Sequence, residues 1–253
     1  MKSAIADQQD RREERRQVIQ AQLDAFRTSA ERNRCGQFAT PPCLAISIAR
    51  YVESLTVGNK PEINFADPSI GTGSFFSAAL TVFGRQRIKS AIGVELDLAF
   101  ANAAEEIWAD AGLEVVRGDF TRVIMEKSLR RTPDLILANP PYIRHHHLGK
   151  DEKERLQRLV LSLTGVNVSG LAGLYVYFLL LGTAWMADDG IAAWLIPSEF
   201  MDVNYGAALK KFLVEGVTLI RVHRFSADDP QFGDALVSSA VVVFRKAPPP
   251  TRH

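Results

Sequence analysis

The residues best suited to chemistry in this 253-residue sequence are Asn139, Pro140, Pro141 and Tyr142. They close the apolar run Leu135-Ile136-Leu137-Ala138, which reads as a buried parallel strand. Two successive prolines lack backbone donors and have fixed φ, so the strand must stop there and the loop is stiff. The carboxyl edge of an open α/β sheet is where ligands bind. At that edge the stretch offers the Asn139 amide oxygen, the Pro140 carbonyl and the Tyr142 ring. Two acceptors and one flat surface suit a planar base that carries an amino group. A strand ending in a proline turn is the competing reading of an isolated Asn-Pro-Pro, and the surrounding residues decide between the two.

Three acids follow three earlier strands. Asp67 ends Ile63-Asn64-Phe65-Ala66-Asp67 and leads into the glycine turn Pro68-Ser69-Ile70-Gly71-Thr72-Gly73-Ser74, after which a helix runs from Phe75 to Val82. Glu95 ends Ala91-Ile92-Gly93-Val94-Glu95, 22 residues after Gly73. Asp119 and Phe120 follow the strand Glu114 to Arg117. Strand, glycine loop, helix and an acid about 20 residues on form the first unit of a nucleotide-binding α/β fold. Phe76 stands where a dinucleotide site has its third glycine, and a carboxylate at Asp67 would repel a pyrophosphate. It would welcome an ammonium. A ligand with an ammonium, a carboxylate, a ribose diol and a purine uses every part, and S-adenosylmethionine is such a ligand. Asp67 would face its amino-acid portion, while Gly71 and Gly73 would let the backbone come close. Glu95 would accept from both ribose hydroxyls, Asp119 from the adenine amino group, and Phe120 would pack on the ring. Thr40 precedes Pro41, a helix-start signal with proline at the first helical position. That helix would run through Leu44, Ile46, Ile48 and Val52, and its start could hold a carboxylate. Taken singly, each acid could equally be a solvated strand-end residue.

The other elements must carry these residues. Residues 7–34 read as an amphipathic helix with Val18, Ile19, Leu23 and Phe26 at helical spacing. The run Arg11 to Arg16 reads as a solvated face with i,i+4 pairs, a DNA-contacting arm being the rival. Helices are predicted from Leu98 to Ala111, from Asp151 to Leu163, from Leu174 to about Ala187, and over most of Phe200 to Glu215. Strands are predicted over Ile191 to Ile196, Val217 to Phe225 and Ser238 to Phe244, the last two joined by a polar loop containing Phe232. A hydrophobic content of 47% is ample for a core, and a net charge of +1 does not suit gripping nucleic acid by bulk charge. Cys35 and Cys43 imply no disulfide framework, and with no apolar signal core at the start a reducing, prokaryotic cytoplasm is expected. The apolar run Leu174 to Trp185 is too short to span a bilayer, so no membrane partner is expected. His145, His146 and His147 point in different directions on a loop and no Cys or acid cluster supports them. With Arg144 and Lys150 they read as a polar rim rather than a metal site.

Read together, GQFATP (36–41), DPSIGTGSF (67–75), GVELD (93–97), GDF (118–120) and NPPY (139–142) resemble, in this order, the motifs of the gamma class of amino-group DNA methyltransferases, which make N6-methyladenine. The resemblance runs from about Gly36 to Phe244. It implies a Rossmann-like class I S-adenosylmethionine-dependent fold: α/β, a seven-stranded mostly parallel sheet flanked by helices, here with an N-terminal helical extension. It implies that Phe38, Thr40 and Pro68 join the cofactor site, Thr40 at the carboxylate, and that Phe178 closes over the cofactor adenine. Asn139, Pro140, Pro141 and Tyr142 would be catalytic, with Tyr142 and Phe232 against a target adenine flipped out of DNA. The methyl donor would leave as S-adenosylhomocysteine. The expected division is a helical extension over 1–34, a catalytic domain over 35–247 and a linker stub over 248–253. Family members carry a further domain that reads DNA sequence; its apparent absence here implies weak DNA binding, with recognition supplied by a missing segment or another polypeptide. A glutamine-N5 methyltransferase acting on release factors shares NPPY but is not expected to carry GQFATP or Phe232. A non-catalytic cofactor-binding subunit is the other alternative.

Overall fold

Leu135 and Leu137 face one side of a sheet, Ile136 and Ala138 the other. This period of two is the pleat of a strand. Both faces are covered, which is why the strand reads as a continuous apolar run rather than an alternation. A computed structural model describes residues 2–28, 31, 32, 35–55, 62–124, 131–226 and 238–250. In chain order the elements are α1 (Lys2–Ala25), α2 (Pro42–Leu55), β1 (Ile63–Asp67), α3 (Ser74–Phe83), β2 (Ile88–Glu95), α4 (Leu98–Trp108), β3 (Leu113–Arg117) and the single turn α5 (Phe120–Val123). They continue with β4 (Leu135–Ala138), α6 (Lys150–Thr164), α7 (Leu174–Trp185), β5 (Ile191–Pro197), α8 (Ala207–Lys211), β6 (Thr218–Arg224) and β7 (Ser239–Arg245).

Among the described residues the strands form one seven-stranded sheet in the order β3-β2-β1-β4-β5-β7-β6. Strands β1 to β5 pair in parallel, and β7 runs antiparallel between β5 and β6. One core packs α2 and α3 onto the Leu135 face. The other packs α6 and α7 onto the Ile136 face, with Trp194 and Phe244 at its centre. Ten of the twelve residues of α7 are buried, so this apolar helix is a core element. No helix among the described residues is long and apolar enough to cross a membrane.

Strand order reverses between β1 and β4, so the connections from these two neighbours leave on opposite faces and open a crevice beyond their carboxyl ends. Phe65 pairs with Leu135 and Ala66 with Ile136, which brings Asp67 and Asn139 to the same edge.

Three predicted elements differ. The N-terminal helix ends at Ala25, and its apolar residues are divided: Ile19 packs on the Leu135-face core, while Val18 is 57% exposed and Phe26, just beyond the helix, 86%. The arginine run is not a wholly solvated face. Arg16 is 2% exposed, while Arg12 and Arg15 pair with Asp110 and Glu106 near the end of α4. The helix after Thr40 begins at Pro42, with Pro41 lending its carbonyl to Ala45. The helix expected over 200–215 is broken into turns around the five residues of α8, because Val203 is extended and a 3₁₀ turn follows it.

Candidate active site

The NPPY loop is held by a segment about one hundred residues earlier. Asn139 Nδ2 donates to the Phe38 carbonyl (2.8 Å) and to Thr40 Oγ1 (3.2 Å), and the Tyr142 N–H donates to the Gly36 carbonyl (3.0 Å). Only a glycine allows this approach: a Cβ at position 36 would sit 2.3 Å from the Tyr142 nitrogen. A carbonyl can only accept, so the Asn139 amide must turn its nitrogen toward Phe38, and Oδ1 points the other way. Oδ1 is buried and, among the described residues, has no hydrogen-bond partner. An unsatisfied buried acceptor costs about 1–3 kcal/mol, and a ligand N–H would recover it. The Asn139 carbonyl is fixed separately by Ser69 Oγ at 3.0 Å.

Tyr142 stands differently from the expected open stacking face. Its ring is 6% exposed, tilted against Phe38 at 5.6 Å, and its hydroxyl donates to the Leu195 carbonyl (3.2 Å). Burial pushes the phenol well above its ordinary range. Phe232, expected opposite, lies outside the described residues.

The acids gather along the same edge. Asp67 is 1% exposed and accepts from the Ser69 N–H (2.9 Å), with Ser69 Oγ 3.3 Å from the same carboxyl oxygen. Burial pushes its carboxyl to about 8; the Ser69 hydrogen bonds oppose this and the Glu95 charge adds to it. Glu95 receives the Gly71 and Asp97 N–H groups, both at 2.9 Å, and burial raises its carboxyl above the ordinary value. Asp119 caps α5 through Thr121 (N–H at 2.9 Å, Oγ1 at 2.8 Å), with Arg122 at 3.4 Å from its other oxygen. That cap turns Phe120 inward. Its ring is 1% exposed, packed between Phe178 and Trp185, and Phe120 lines the cleft beside Asp119. Phe178 lies at the wall of the cleft, 6% exposed.

The two loop glycines part company. Gly73 has φ of 91°, and a Cβ there would meet Trp108 Nε1 at 2.4 Å, so its bareness serves the packing of α4. A Cβ at Gly71 would have nothing within 4 Å: this residue faces open space. Two linked hollows result. A small one of about 50 Å³ lies among Thr40, Asp67, Ser69, Gln20 and Asn139. A cleft of about 940 Å³ extends past Pro68, Glu95, Asp119, Pro141 and Phe178. Asn139 lines both. Among the described residues no group of histidines, cysteines and acids could hold a metal ion; His145, His146 and His147 form a 3₁₀ turn, their rings edge-on or tilted to one another, and His147 lines the cleft.

Sequence reasoning missed two contributors. Leu96 and Leu98 line the cleft at 70% and 64% exposure, and a leucine so exposed between acids is an apolar surface for a ligand ring. In the sequence Leu96 looks like the tail of an apolar strand and Leu98 like the first residue of a helix. The other is α1 with the turn after it, which line the cleft through Gln20, Asp24 and Arg27. Arg27 pairs with Asp97; partial burial works against the Asp97 charge, but Arg27 and the Ala99 and Phe100 N–H groups hold its carboxyl below the ordinary value.

The model of a family described as Eco57I restriction-modification methylase matches residues 101–232, just over half of the chain. The type II methyltransferase M.AccI of Acinetobacter calcoaceticus is 28% identical over 213 residues, covering 84% of this chain and 37% of that protein. The type II methyltransferase M.XamI of Xanthomonas campestris pv. amaranthicola is 29% identical over 218 residues, covering 84% of this chain and 39% of that protein. The chain thus spans well under half the length of these two relatives. Among solved structures, the methyltransferase subunit of a type I restriction-modification system from Streptococcus thermophilus shares the fold, with a TM-score of 0.67 at 20% identity, over 83% of this chain and 45% of that one.

Proposed function

Because this chain belongs to the Eco57I restriction-modification methylase family, we propose that it transfers a methyl group to the exocyclic N6 of an adenine flipped out of DNA. Its fold is that of the class I S-adenosylmethionine-dependent methyltransferases, and S-adenosylmethionine is its cofactor. The donor set fits that molecule. Asp67 is a buried acid for the ammonium, Thr40 and the start of α2 suit the carboxylate, Glu95 suits the ribose hydroxyls, and Leu96, Asp119 and Phe178 suit the adenine.

The observation that carries the reading is Asn139 Oδ1: buried, unpartnered among the described residues, and at the junction of the two hollows. An exocyclic amine is a poor nucleophile because its lone pair is spread into the ring. Oδ1 and the Pro140 carbonyl each accept one of its hydrogens and draw the nitrogen toward a tetrahedral geometry. The lone pair is then localised on the nitrogen. S-adenosylmethionine supplies the electrophilic methyl group on its sulfonium. Phe38 and Thr40 hold the amide in place by taking both Nδ2 hydrogens, so no reorganisation is needed as the transition state forms. The base must leave the duplex to reach this depth, and Tyr142 is the ring proposed to stack on it. We assign reading of the DNA sequence to a part or partner outside residues 35–247, as the near-neutral charge of the chain supports.

The test is Asn139→Ala. Methyl transfer to DNA is expected to fall by about 10²–10³ or more, the loss typical of removing one such electrostatic contact. Calorimetric binding of S-adenosylhomocysteine should persist. Transfer at the wild-type rate would remove Asn139 from its role. Transfer to a release factor but not to DNA would favour the glutamine reading.

A further inference from the structure

Helix α1 precedes every motif named above, yet its side chains reach three segments of the cofactor site. Arg16 is 2% exposed; it grips Glu13 through two hydrogen bonds (2.8 and 2.7 Å) and donates to Thr72 Oγ1 in the glycine loop at 3.1 Å. That hydroxyl in turn donates to Gln20 Oε1 at 2.7 Å, and Gln20 Nε2 donates to Asp24 at 3.0 Å. A carboxylate only accepts, so the orientation of the Gln20 amide is fixed. Just beyond α1, Arg27 bridges Asp97, two residues after Glu95, and Gln37, next to Phe38. Its guanidinium also lies over the Phe100 ring at 5.1 Å. Gln20 lines both hollows, and Asp24 and Arg27 line the cleft.

The attachment of α1 is mostly polar, with Ile19 packed on the Leu135-face core. Val18 and Phe26 stay exposed, and the outer pairs Arg12–Asp110 and Arg15–Glu106 each have a largely exposed partner. Exposed pairs contribute little to stability, so docking rests mainly on Arg16, Ile19, Gln20 and Arg27, two of which line the donor cleft. A ligand that touches the docked helix favours docking by its differential affinity, and docking returns the same factor to the ligand.

We propose that α1 is a wall of the methyl-donor site whose docking is coupled to donor binding, with Gln20 and Arg27 as its positioning residues. The proposal rests on the assignment of the cleft to S-adenosylmethionine. In this arrangement the glycine loop, the loop after β2 and the GQFATP segment are set against one another by a single helix, and the donor closes the contact.

Hydrogen–deuterium exchange on the full chain, with and without S-adenosylhomocysteine, tests it without any variant. Amides of residues 9–27 are expected to gain protection with the ligand. In calorimetry, Gln20→Ala and Arg27→Ala are expected to weaken S-adenosylhomocysteine about tenfold, within the range usual for coupled sites. Arg27→Ala should also lose the ligand-dependent protection, which a purely structural residue would not do. Wild-type protein that binds the ligand with unchanged exchange over 9–27, or variants that bind it with wild-type affinity, would overturn the proposal and leave the cofactor assignment standing. Absence of any binding by wild-type protein would remove the assignment and the coupling together.

Discussion

Asp67 holds a proton in the folded chain that the unfolded chain gives up near pH 3.8, because burial moves its carboxyl to about 8. The stability linked to this group is complete below about pH 3.8 and is lost as pH rises toward 8. The melting temperature of the free protein should therefore fall across that window, and Asp67→Asn should flatten the fall; a slope unchanged in the variant would refute it. An ammonium placed against Asp67 reverses the preference, so ligand uptake near pH 7 should release a proton, seen as a heat that depends on the buffer. The sequence made Asp67 and Glu95 legible because an acid closing an apolar strand stands out. Leu96 was not legible, because an apolar residue at a strand end looks like core until its exposure is known. The place of Phe120 beside the cleft was legible, but its packing between Phe178 and Trp185 was not, since those partners lie far along the chain.

Among the elements, the segment 36–40 and the NPPY loop act as one unit. Gly36 has φ of 62° and its Cβ position is taken by the Tyr142 backbone. Gly36→Ala should cost about 1–3 kcal/mol of stability through overpacking, and S-adenosylhomocysteine binding should weaken with it; chemical denaturation and calorimetry on the same sample measure both. A variant as stable as wild type would mean that the two segments are not joined in solution. Strands β1, β2 and β4 could be read from the sequence because Asp-Pro, Glu-Leu-Asp and Asn-Pro-Pro mark their ends. The docking of α1 could not, because buried Arg16 and exposed Val18 and Phe26 invert the apolar-inside pattern. Pairings such as Arg16 with Thr72 join residues 56 apart, and no periodicity records them. The break at 202–203 was hidden for a similar reason: Phe200 with Val203 and Met201 with Tyr205 keep helical spacing, while the backbone is extended at Val203.

At the scale of the whole molecule, charge sets what this chain does with DNA. Thirty basic and 29 acidic residues leave +1, and many of the arginines are spent on ion pairs within the chain. The chain by itself should bind duplex DNA with a Kd no tighter than about 10⁻⁶ M at physiological salt, the range of non-specific contacts. Its affinity should fall linearly on a log–log plot against salt. Tight, sequence-selective binding in a fluorescence anisotropy titration would overturn this. The Asn139–Phe38 bond has a different reach. Its partners are 101 residues apart, and β1, β2 and β3 are all made in between. The Asn139 amide can take the orientation seen here only after that whole span has come together, since contacts so distant carry a large loop-closure cost. A chain emerging during synthesis thus carries the residues of β1, β2 and β3 before Asn139 can reach Phe38.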